Sequence, residues 1–437
     1  MTAPQRPVPH PTLGLYRAAA AIAGPVLRRY VERRARTGKE DPARVEERFG
    51  RASRARPAGP LVWLHAASVG ESLSFLPLVE AIAGRWPRLA LLITTGTVTS
   101  ARLMAERLPA AAIHQFAPMD RPRWIGAFLD HWRPDLAIRV ESELWPATLD
   151  AIEARAIPSL LVNARMSRRS ARNWRLVPGL ARRVLRSFTL CLAQTEEDAA
   201  RFRSLGAPEI RCLGNLKLAA PALPCDAALL ETLERRCAGR PVWIGASTHD
   251  GEEERLAAAH RRIRARLPDA LLVLVPRHPA RGPGIAARLR AEGHTVALRS
   301  AHQPPGSEIY VADGLGELGV MYRLAKAGFV GGSLIPHGGQ NLLEPARLDC
   351  AILHGPHMTN FAEIASEIAR AGGSTQVETD EALADAVVAL LTDEAMRSRS
   401  CAAAARIAEG KTRILDAVVD ALAPHIDRAE EGAGAHA

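Results

Sequence analysis

Short apolar runs alternate along the chain with longer stretches in which apolar and charged residues recur at helical spacing. Apolar runs of about four to eight residues that end in turn residues are typical of buried strands, and the intervening pattern is typical of amphipathic helices. The predicted strands of the first half are residues 61–66, 89–96, 135–142, 159–165 and 189–195. Those of the second half are residues 242–247, 271–278, 295–300, 308–313, 328–333 and 350–355. Strands that alternate with helices predict an α/β fold of βαβ units with parallel sheets.

The alternation breaks once, in a stretch that holds Pro221, Pro224 and Gly239. Such residues indicate a connection, so we predict an inter-domain linker with a short helix. The 437 residues suffice for two domains of about 200 residues each. The predicted order is an N-terminal apolar and basic helix (1–36), a Rossmann-like domain (37–217), the linker (218–240), a second Rossmann-like domain (241–400), and a C-terminal helix with a disordered tail, EEGAGAHA (401–437).

Residues 12–30 are largely apolar, but Arg17 and the pair Gly24-Pro25 interrupt them. This run falls short of the roughly 20 clean apolar residues that a membrane-spanning helix needs. Five arginines lie at its end or just beyond, at positions 28, 29, 33, 34 and 36. An apolar helix with a basic cluster indicates a segment that lies on, or is weakly anchored in, an anionic membrane surface. The alternative is an ordinary first helix that packs on the domain.

Composition narrows the range of partners. The formal net charge of +10 favours phosphorylated or carboxylated partners, which include anionic membrane surfaces. Aromatic residues make up 4% of the chain, which argues against a base-stacking surface, so we expect no nucleic-acid partner. The six cysteines form no CxxC pair, which suits neither a zinc site nor a disulfide framework and indicates a reducing compartment.

The stretch LVWLHAASVGE, residues 61–71, is the first candidate for chemistry. It predicts a buried strand, a tight turn at Gly70, and a helix whose first turn contains Glu71. Ligands of open α/β sheets bind where strands end and helices begin, so the Glu71 carboxylate can reach a substrate hydroxyl there. The alternative is that Glu71 only complements the helix dipole, which is worth roughly 0.3–1 kcal/mol.

Residues 314–319 read GLGELG after a predicted strand, which is the context of a dinucleotide-binding turn. The next strand ends in Ser333, where an acidic residue should hold the ribose, so NAD binding is the weaker interpretation. The glycines still let the backbone amides of Gly316 and Glu317 approach a phosphate at a helix N-terminus.

A second glycine-rich turn spans residues 331–344. Asn341 and Glu344 lie three residues apart, on one face of the helix predicted to start there. Asn341 taken singly is an N-cap by default. A carboxylate at Glu344 can accept both hydroxyls of a ribose, as is common for nucleotide sugars.

Charged residues also end other predicted strands, in the sequences ESELWP (141–146), NARMS (163–167) and PRHPAR (276–281). Charges at a buried edge need partners, which ligand phosphates or carboxylates would supply. His354 and His357 have no acidic or sulfur partner at ligand spacing, so we interpret them as structural histidines and predict no metal site.

Nine short motifs occur in order along residues 15–391: HAASVGE, TTGT, ESELWP, NARMS, GNLK, GASTHDGEE, PRHPAR, GGS and GGQNLLEPA. In this order they resemble the 3-deoxy-D-manno-octulosonic acid (Kdo) transferases of lipopolysaccharide assembly. The resemblance implies a GT-B glycosyltransferase of two Rossmann-like domains whose parallel sheets face a central cleft. It also implies inverting, metal-independent and cofactor-free transfer of Kdo from CMP-Kdo to a lipid A precursor of the lipid IVA type, at the cytoplasmic face of the bacterial inner membrane.

The resemblance also assigns roles to residues. Glu71 matches the catalytic base, and Glu141 and Lys217 match positions that stabilise the transition state. The residues that match CMP-contacting segments are Arg277, His278, Leu315, Gly316, Glu317, Asn341, Leu342, Leu343 and Glu344. The N-terminal helix departs from the family pattern, because its alanines and Arg17 make it less like a spanning anchor than a leucine-rich version would be.

Two other functions are alternatives to Kdo transfer. One is a GT-B transferase or epimerase that uses a UDP-sugar, which a preference for UDP over CMP would reveal. The other is a non-catalytic basic module on nucleic acid or membrane, which the few aromatic residues and the polar strand ends disfavour.

Overall fold

Each half of the chain is built on one seven-stranded parallel sheet, which confirms the predicted α/β fold. The computed structural model describes residues 11–219 and 221–434. One unit contains the described residues before position 220 together with those from Thr412 onward. The other unit contains Pro221–Lys411. They are called the N-terminal and the C-terminal unit below.

The N-terminal unit has the strand order β3-β2-β1-β4-β5-β6-β7. Its strands are β1 (Leu61–His65), β2 (Ala90–Thr95), β3 (Ala112–Phe116), β4 (Leu136–Val140), β5 (Ser159–Ala164), β6 (Leu190–Ala193) and β7 (Ile210–Cys212). Its helices are α1 (Pro11–Ile22), α2 (Gly24–Arg36), α3 (Val69–Arg85), α4 (Val98–Arg107), α5 (Pro122–Trp132), α6 (Pro146–Ala154), α7 (Arg168–Arg175), α8 (Pro178–Leu185) and α9 (Glu196–Leu205). The order changes direction between β1 and β4, and such a switch point leaves a crevice at the carboxyl ends of the two strands.

The C-terminal unit has the strand order β10-β11-β9-β8-β12-β13-β14, with its switch point between β8 and β12. Its strands are β8 (Val242–Thr248), β9 (Leu271–Pro276), β10 (Val296–Leu298), β11 (Ile309–Val311), β12 (Ala327–Val330), β13 (Ala351–His354) and β14 (Ser374–Gln376). Its helices are α10 (Ala227–Arg236), α11 (Glu253–Arg266), α12 (Gly282–Ala291), α13 (Leu318–Leu324), α14 (Leu343–Ala346), α15 (Ala362–Arg370), α16 (Asp380–Thr392) and the first part of α17 (Glu394–Gly434).

Helices cover both faces of each sheet, which explains why the central strands are apolar throughout instead of alternating. All residues of β1, β4 and β5 are buried. On one face of the N-terminal sheet Val62 packs in a cluster with Val79 of α3 and Leu422 of α17. On the other face Trp63 packs against Phe128 of α5, with ring centroids 4.8 Å apart.

All eleven predicted strands are present, and three further strands were not predicted: β3, β7 and β14. Each of these lies at the edge of its sheet. β7 and β14 contain no buried residue, and β3 is buried only at its last two positions. An edge strand has fewer neighbours to pack against, so its sequence carries a weaker apolar signal.

The predicted linker contains the expected short helix, whereas the predicted tail is partly wrong. Helix α10 packs on the C-terminal unit through Leu233. The last helix begins at Glu394, earlier than expected, and Leu422 and Ile426 bury its far end in the core of the N-terminal unit. It continues to Gly434, so most of EEGAGAHA is helical, and residues 435–437 lie outside the described part of the chain.

The N-terminal segment forms two helices, because α1 ends just before the predicted break at Gly24-Pro25. The Tyr16 hydroxyl donates to Asp120 at 2.7 Å and Arg17 pairs with Asp150, so α1 does pack on the domain. Between residues 11 and 434, apart from position 220, the structure contains no helix with the length and apolar character of a membrane span.

Candidate active site

Glu71 lies in the first turn of α3, at the switch point of the N-terminal sheet. Its carboxylate accepts hydrogen bonds from the Ala67 amide at 2.7 Å and from the Ser68 hydroxyl at 3.1 Å. Burial raises the pKa of Glu71, and the negative charges of Glu143 and Glu141 raise it further against the Ala67 hydrogen bond. Glu71 thus holds the turn that precedes its helix, whose N-cap is Ser68, and its raised pKa suits a general base.

Glu141 follows β4 with φ of 60°, the left-handed region that favours glycine. Its side chain is buried, and its Oε1 lies 2.6 Å from Nζ of Lys217. The structure thus brings Glu141 and Lys217 into contact, and Glu141 in turn lies near Glu71, whose pKa its charge raises. An unfavourable backbone conformation that persists at a strand end is typical of functional sites.

Two asparagines hold the segment that carries Lys217. Oδ1 of Asn163, at the end of β5, accepts a hydrogen bond from the Leu216 amide at 3.0 Å. Oδ1 of Asn215 accepts one from the Lys217 amide, also at 3.0 Å. The motifs NARMS and GNLK therefore act together, because one fixes the backbone from which the other presents its lysine.

Glu143, the second acid of ESELWP, belongs to a buried polar cluster. Its Oε2 lies 3.2 Å from Nε2 of His65 and accepts a hydrogen bond from the Trp145 indole. Burial alone would raise the pKa of Glu143, but His65, Arg139 and Trp145 outweigh it and lower the pKa to about 2. Glu143 is therefore ionised at neutral pH and acts as a fixed negative charge near Glu71.

A cavity of about 100 Å³ lies beside this cluster, at the carboxyl ends of β1, β2 and β4. His65, Arg139 and Glu143 contribute to its wall, as does Ala67, whose amide holds Glu71. Arg139 was not singled out from the sequence, although an arginine inside an otherwise apolar strand is a recognisable signal.

Three histidines meet around the switch point of the C-terminal sheet. The His249 ring lies 3.8 Å from that of His337 and 6.4 Å from that of His278, measured between centroids. Burial lowers the pKa of His249 to about 4, and the positive charges of His337, His278 and Arg277 lower it further. Gln340 hydrogen bonds to Nε2 of His249 at 3.1 Å. Such a group of donors and cations suits a phosphate or carboxylate ligand.

Of these residues, only Arg277 and His278 were predicted as site residues. His249 and Gln340 fall inside the motifs GASTHDGEE and GGQNLLEPA, but no local pattern indicates that the two side chains meet. His337 lies in the glycine loop between GGS and that second motif. Their proximity depends on the pairing of β8 with β12, which periodicity alone does not show.

Glu344 and Arg277 are electrostatically coupled. Burial raises the pKa of Glu344 to about 7, although Arg277, Asn341 and Arg347 each lower it. Oδ1 of Asn341 accepts a hydrogen bond from the Leu343 amide at 3.1 Å, but the N-cap of α14 is Leu342, so the predicted N-cap position of Asn341 is wrong by one residue. The side chains of the neighbouring Leu342 and Leu343 are buried in the core, which leaves only their backbone for a ligand.

The turn at residues 314–317 follows β11, and α13 begins at Leu318, inside the GLGELG motif. Gly316 has φ of 81°, and the Leu315 side chain is 90% exposed. The Glu317 carboxylate accepts two hydrogen bonds from the Arg299 guanidinium, at 3.0 and 2.9 Å. The turn is thus anchored through Glu317, while Leu315 is open to solvent.

Glu252 was missed by the sequence reasoning and organises the glycine loop. This fully buried carboxylate accepts hydrogen bonds from the amides of His249 at 3.0 Å, Gly332 at 2.7 Å, Ser333 at 3.1 Å and Leu334 at 3.0 Å. It ties the end of β8 to the loop after β12, on the two sides of the switch point. The two adjacent glutamates that end the motif GASTHDGEE were the feature of the sequence that could have indicated this role.

His354 is buried and hydrogen bonded through both ring nitrogens, to the Gly355 carbonyl at 2.8 Å and the Ser374 hydroxyl at 3.4 Å. These contacts support the structural interpretation of His354. His357 contributes its backbone amide, which donates to the Ser333 carbonyl at 3.0 Å, so the interpretation of its side chain stays a prediction. Within the described residues, no three His, Cys, Asp or Glu side chains are arranged to hold a metal ion.

Two parallel α/β units, each with charged side chains at its switch point, define a GT-B architecture. The UDP-GlcNAc 2-epimerase from Neisseria meningitidis, solved with UDP-GlcNAc, shares this fold, with a TM-score of 0.55, 12% identity, and coverage of 83% of this chain and 100% of that chain. A family model described as 3-deoxy-D-manno-octulosonic-acid transferase matches residues 43–220.

Similarity to curated proteins extends over nearly the whole chain. A 3-deoxy-D-manno-octulosonic acid transferase of Bordetella pertussis is 35% identical and covers 93% of this chain and 99% of its own. A 3-deoxy-D-manno-octulosonic acid transferase of Haemophilus influenzae is 34% identical and covers 88% of this chain and 92% of its own length. A transferase of the same description from Rickettsia bellii is 35% identical and covers 81% of this chain and 85% of its own length. The chain therefore belongs to the 3-deoxy-D-manno-octulosonic acid transferase family, as its nine motifs predict.

Proposed function

We propose that this chain transfers Kdo from CMP-Kdo to a lipid A precursor of the lipid IVA type, as a step of lipopolysaccharide core biosynthesis. Membership of the family supports the transfer of Kdo. The observation that carries the proposal is the gathering of Glu71, Glu141 and Lys217 at one switch point, because these are the three positions expected to perform catalysis.

In the proposed reaction, Glu71 accepts the proton of an acceptor hydroxyl while that oxygen bonds to the anomeric carbon of Kdo. The bond from this carbon to the phosphate oxygen breaks, and CMP leaves with the electron pair. Attack opposite the leaving group inverts the anomeric configuration. The contact between Glu141 and Lys217 favours an orienting role for Glu141, which holds the ammonium group where it stabilises negative charge.

The donor is proposed to bind the C-terminal unit. Arg277 and His278 supply cationic and donor groups after β9, and Glu344 accepts the ribose hydroxyls. The backbone of residues 315–317 provides amides beside the nucleotide. With these groups and Lys217 as the source of positive charge, we propose that the reaction needs neither a metal ion nor a cofactor.

The proposed location is the cytoplasmic face of the bacterial inner membrane, because the acceptor is a lipid. Leu15 and Ile22 of α1 are 73% and 80% exposed, and α2 carries arginines in its last turn. Exposed apolar side chains next to a basic cluster support contact with an anionic bilayer surface.

The direct test is transfer from CMP-Kdo, generated in situ, to a tetraacylated, bisphosphorylated lipid A precursor in the presence of EDTA, with the product identified by mass spectrometry. We expect a mass gain of one or more Kdo units. Glu71→Gln should remove transfer while the protein stays folded. Glu80→Gln is the matched control, since Glu80 is an exposed acid on the same helix.

Each failure has a distinct meaning. Full activity of Glu71→Gln would contradict the proposed base. Loss of transfer in EDTA that magnesium restores would contradict metal independence. Binding of UDP in preference to CMP would replace the donor by a UDP-sugar.

A further inference from the structure

A buried arginine in the N-terminal sheet lacks an ion-pair partner. Arg139 is the fourth residue of β4 and is 2% exposed. Its Nε donates to the Glu143 carbonyl at 2.8 Å, and its guanidinium lies 5.7 Å from the ring centroid of Trp63. Within residues 11–219 and 221–434, its two terminal nitrogens have no hydrogen bond and no carboxylate within 4.0 Å. Burial lowers the pKa of Arg139, whereas the negative charges of Glu143 and Asp120 raise it without contacting the guanidinium.

Arg139 faces the cavity of about 100 Å³ that lies beside the amide holding Glu71. The other charged groups in its wall have partners of their own. Arg48 donates to the Ala117 carbonyl at 2.5 Å and lies 3.4 Å from the Glu40 carboxylate. Glu143 is held by His65 and by the Trp145 indole, as described above.

Asp120, the remaining charge in the wall, is satisfied by four donors. Its carboxylate accepts from the Tyr16 hydroxyl at 2.7 Å, the Ala147 amide at 3.1 Å, the Thr148 amide at 2.8 Å and the Thr148 hydroxyl at 2.5 Å. It therefore caps α6 and does not approach the guanidinium as an ion pair. Glu143 and Asp120 thus stabilise the Arg139 cation only at longer range, and neither carboxylate hydrogen bonds to its terminal nitrogens.

We propose that this cavity is a subsite for one anionic group of the acceptor, a phosphate or a carboxylate, and that Arg139 determines the specificity for it. The inference rests on the proposed function for the identity of the acceptor. The volume corresponds to roughly three water molecules, which is enough for one such group. The edge formed by the two terminal nitrogens of the planar guanidinium is free, and it can bind either group through paired hydrogen bonds. The group would lie next to Glu71 and so orient the attacking hydroxyl.

The test compares acceptors that differ by one anionic group. One pair is the bisphosphorylated precursor and its forms that lack one phosphate. The other pair is a precursor that already carries one Kdo and the same compound with its carboxyl group converted to an amide. We expect Arg139→Met to lower kcat/KM for the preferred acceptor by about 10- to 100-fold, mainly through the acceptor KM, and to abolish the preference within one pair. Arg139→Lys should retain part of this preference.

The pair whose preference disappears identifies the group as phosphate or carboxylate. Unchanged preferences in both pairs would overturn the inference, as would an equal rise in the KM for CMP-Kdo. Arg56→Met is the matched control, because Arg56 is a partly buried arginine that donates to the carbonyls of Trp132 and Pro57. It should leave both preferences intact.

Thermal unfolding separates this inference from the proposed function. At constant ionic strength, inorganic phosphate should raise the melting temperature of the wild-type protein more than that of Arg139→Met. Without phosphate, Arg139→Met should lose some stability, because the Glu143 carbonyl loses a donor and the ionised Glu143 loses a nearby positive charge. Equal shifts with phosphate would show a structural arginine. Absence of Kdo transfer by the wild type would contradict only the proposed function.

Discussion

The ammonium nitrogen of Lys217 lies 2.6 Å from a carboxylate oxygen of Glu141, which is buried at the end of β4 in a left-handed backbone conformation. The two residues are far apart in sequence, and the hydrogen bond from the Leu216 amide to Asn163 brings them together. This pair explains how the sheet tolerates an acid at a buried strand end.

Removal of the Lys217 ammonium group should leave the Glu141 carboxylate without its ion-pair partner. We expect Lys217→Met to lower kcat by about 100-fold, as loss of one group that stabilises developing charge does. The free energy of unfolding should fall by about 1–2 kcal/mol, since Lys217 is partly exposed. The double variant Lys217→Met/Glu141→Gln should regain stability without activity. Lys411→Met, which breaks a 2.7 Å pair with Glu367, is the control for activity. Recovery of transfer in the double variant would contradict the role of Lys217.

The pH dependence of transfer should report Glu71. A base must be deprotonated, so kcat/KM should fall as the pH drops through the raised pKa of Glu71. Glu143→Gln removes a negative charge that raises this pKa, so the acid limb of the profile should move to lower pH. Glu80→Gln should leave the limb in place. A limb that does not respond to Glu143→Gln would mean that another group titrates.

Nucleotide binding should be linked to protons through Glu344. Its pKa of about 7 leaves it half protonated at neutral pH, and a carboxylate that accepts ribose hydroxyls must be ionised. CMP binding should therefore release protons, and affinity should rise between about pH 6 and 8. Calorimetry in buffers of different ionisation enthalpy measures this release. Because the CMP phosphate also titrates, the informative quantity is the difference from Glu344→Gln, with the exposed Glu363→Gln as control. Equal proton release by Glu344→Gln would exclude this linkage.

The buried Glu252 should be essential to the glycine loop. Glu252→Gln replaces one of the acceptor oxygens of a carboxylate that binds four amides, and we expect the free energy of unfolding to fall by about 2–4 kcal/mol. CMP affinity should fall as well, because His337 and Gln340 follow this loop. Glu254→Gln, which affects a partly exposed pair with Arg288, should have a small effect in urea unfolding. A comparably small effect of Glu252→Gln would show that the loop holds its own shape.

Membrane binding should depend on the exposed face of α1. We expect the protein to sediment with anionic vesicles and to be released by salt, because the basic cluster is screened. Leu15→Ser/Ile22→Ser should reduce binding, whereas Leu315→Ser, an equally exposed leucine of the C-terminal unit, should not. Retention of the wild-type protein in high salt and carbonate would instead indicate an integral anchor.

Local patterns predicted part of the site and missed the rest. Glu71 was recognisable because a buried strand, a glycine turn and a helix start follow one another within residues 61–71. Glu252, His249 and His337 were not recognised, because each matters through partners on another strand. Arg139 was overlooked for the same reason. Its role depends on the cavity that it lines and on the groups from other segments that do or do not contact its guanidinium.

The sequence by itself determined the two parallel sheets, eleven of their strands, the order of the two units and the family. It could do so because burial on both faces of a central strand leaves a continuous apolar run, and such a run is a local property of the chain. The tertiary structure alone decided the edge strands β3, β7 and β14 and the return of α17 to the N-terminal unit. It also decided the pairing of Lys217 with Glu141 and the isolation of Arg139. These features arise from contacts between distant segments, whose charges and packing surfaces leave no periodic record in the sequence.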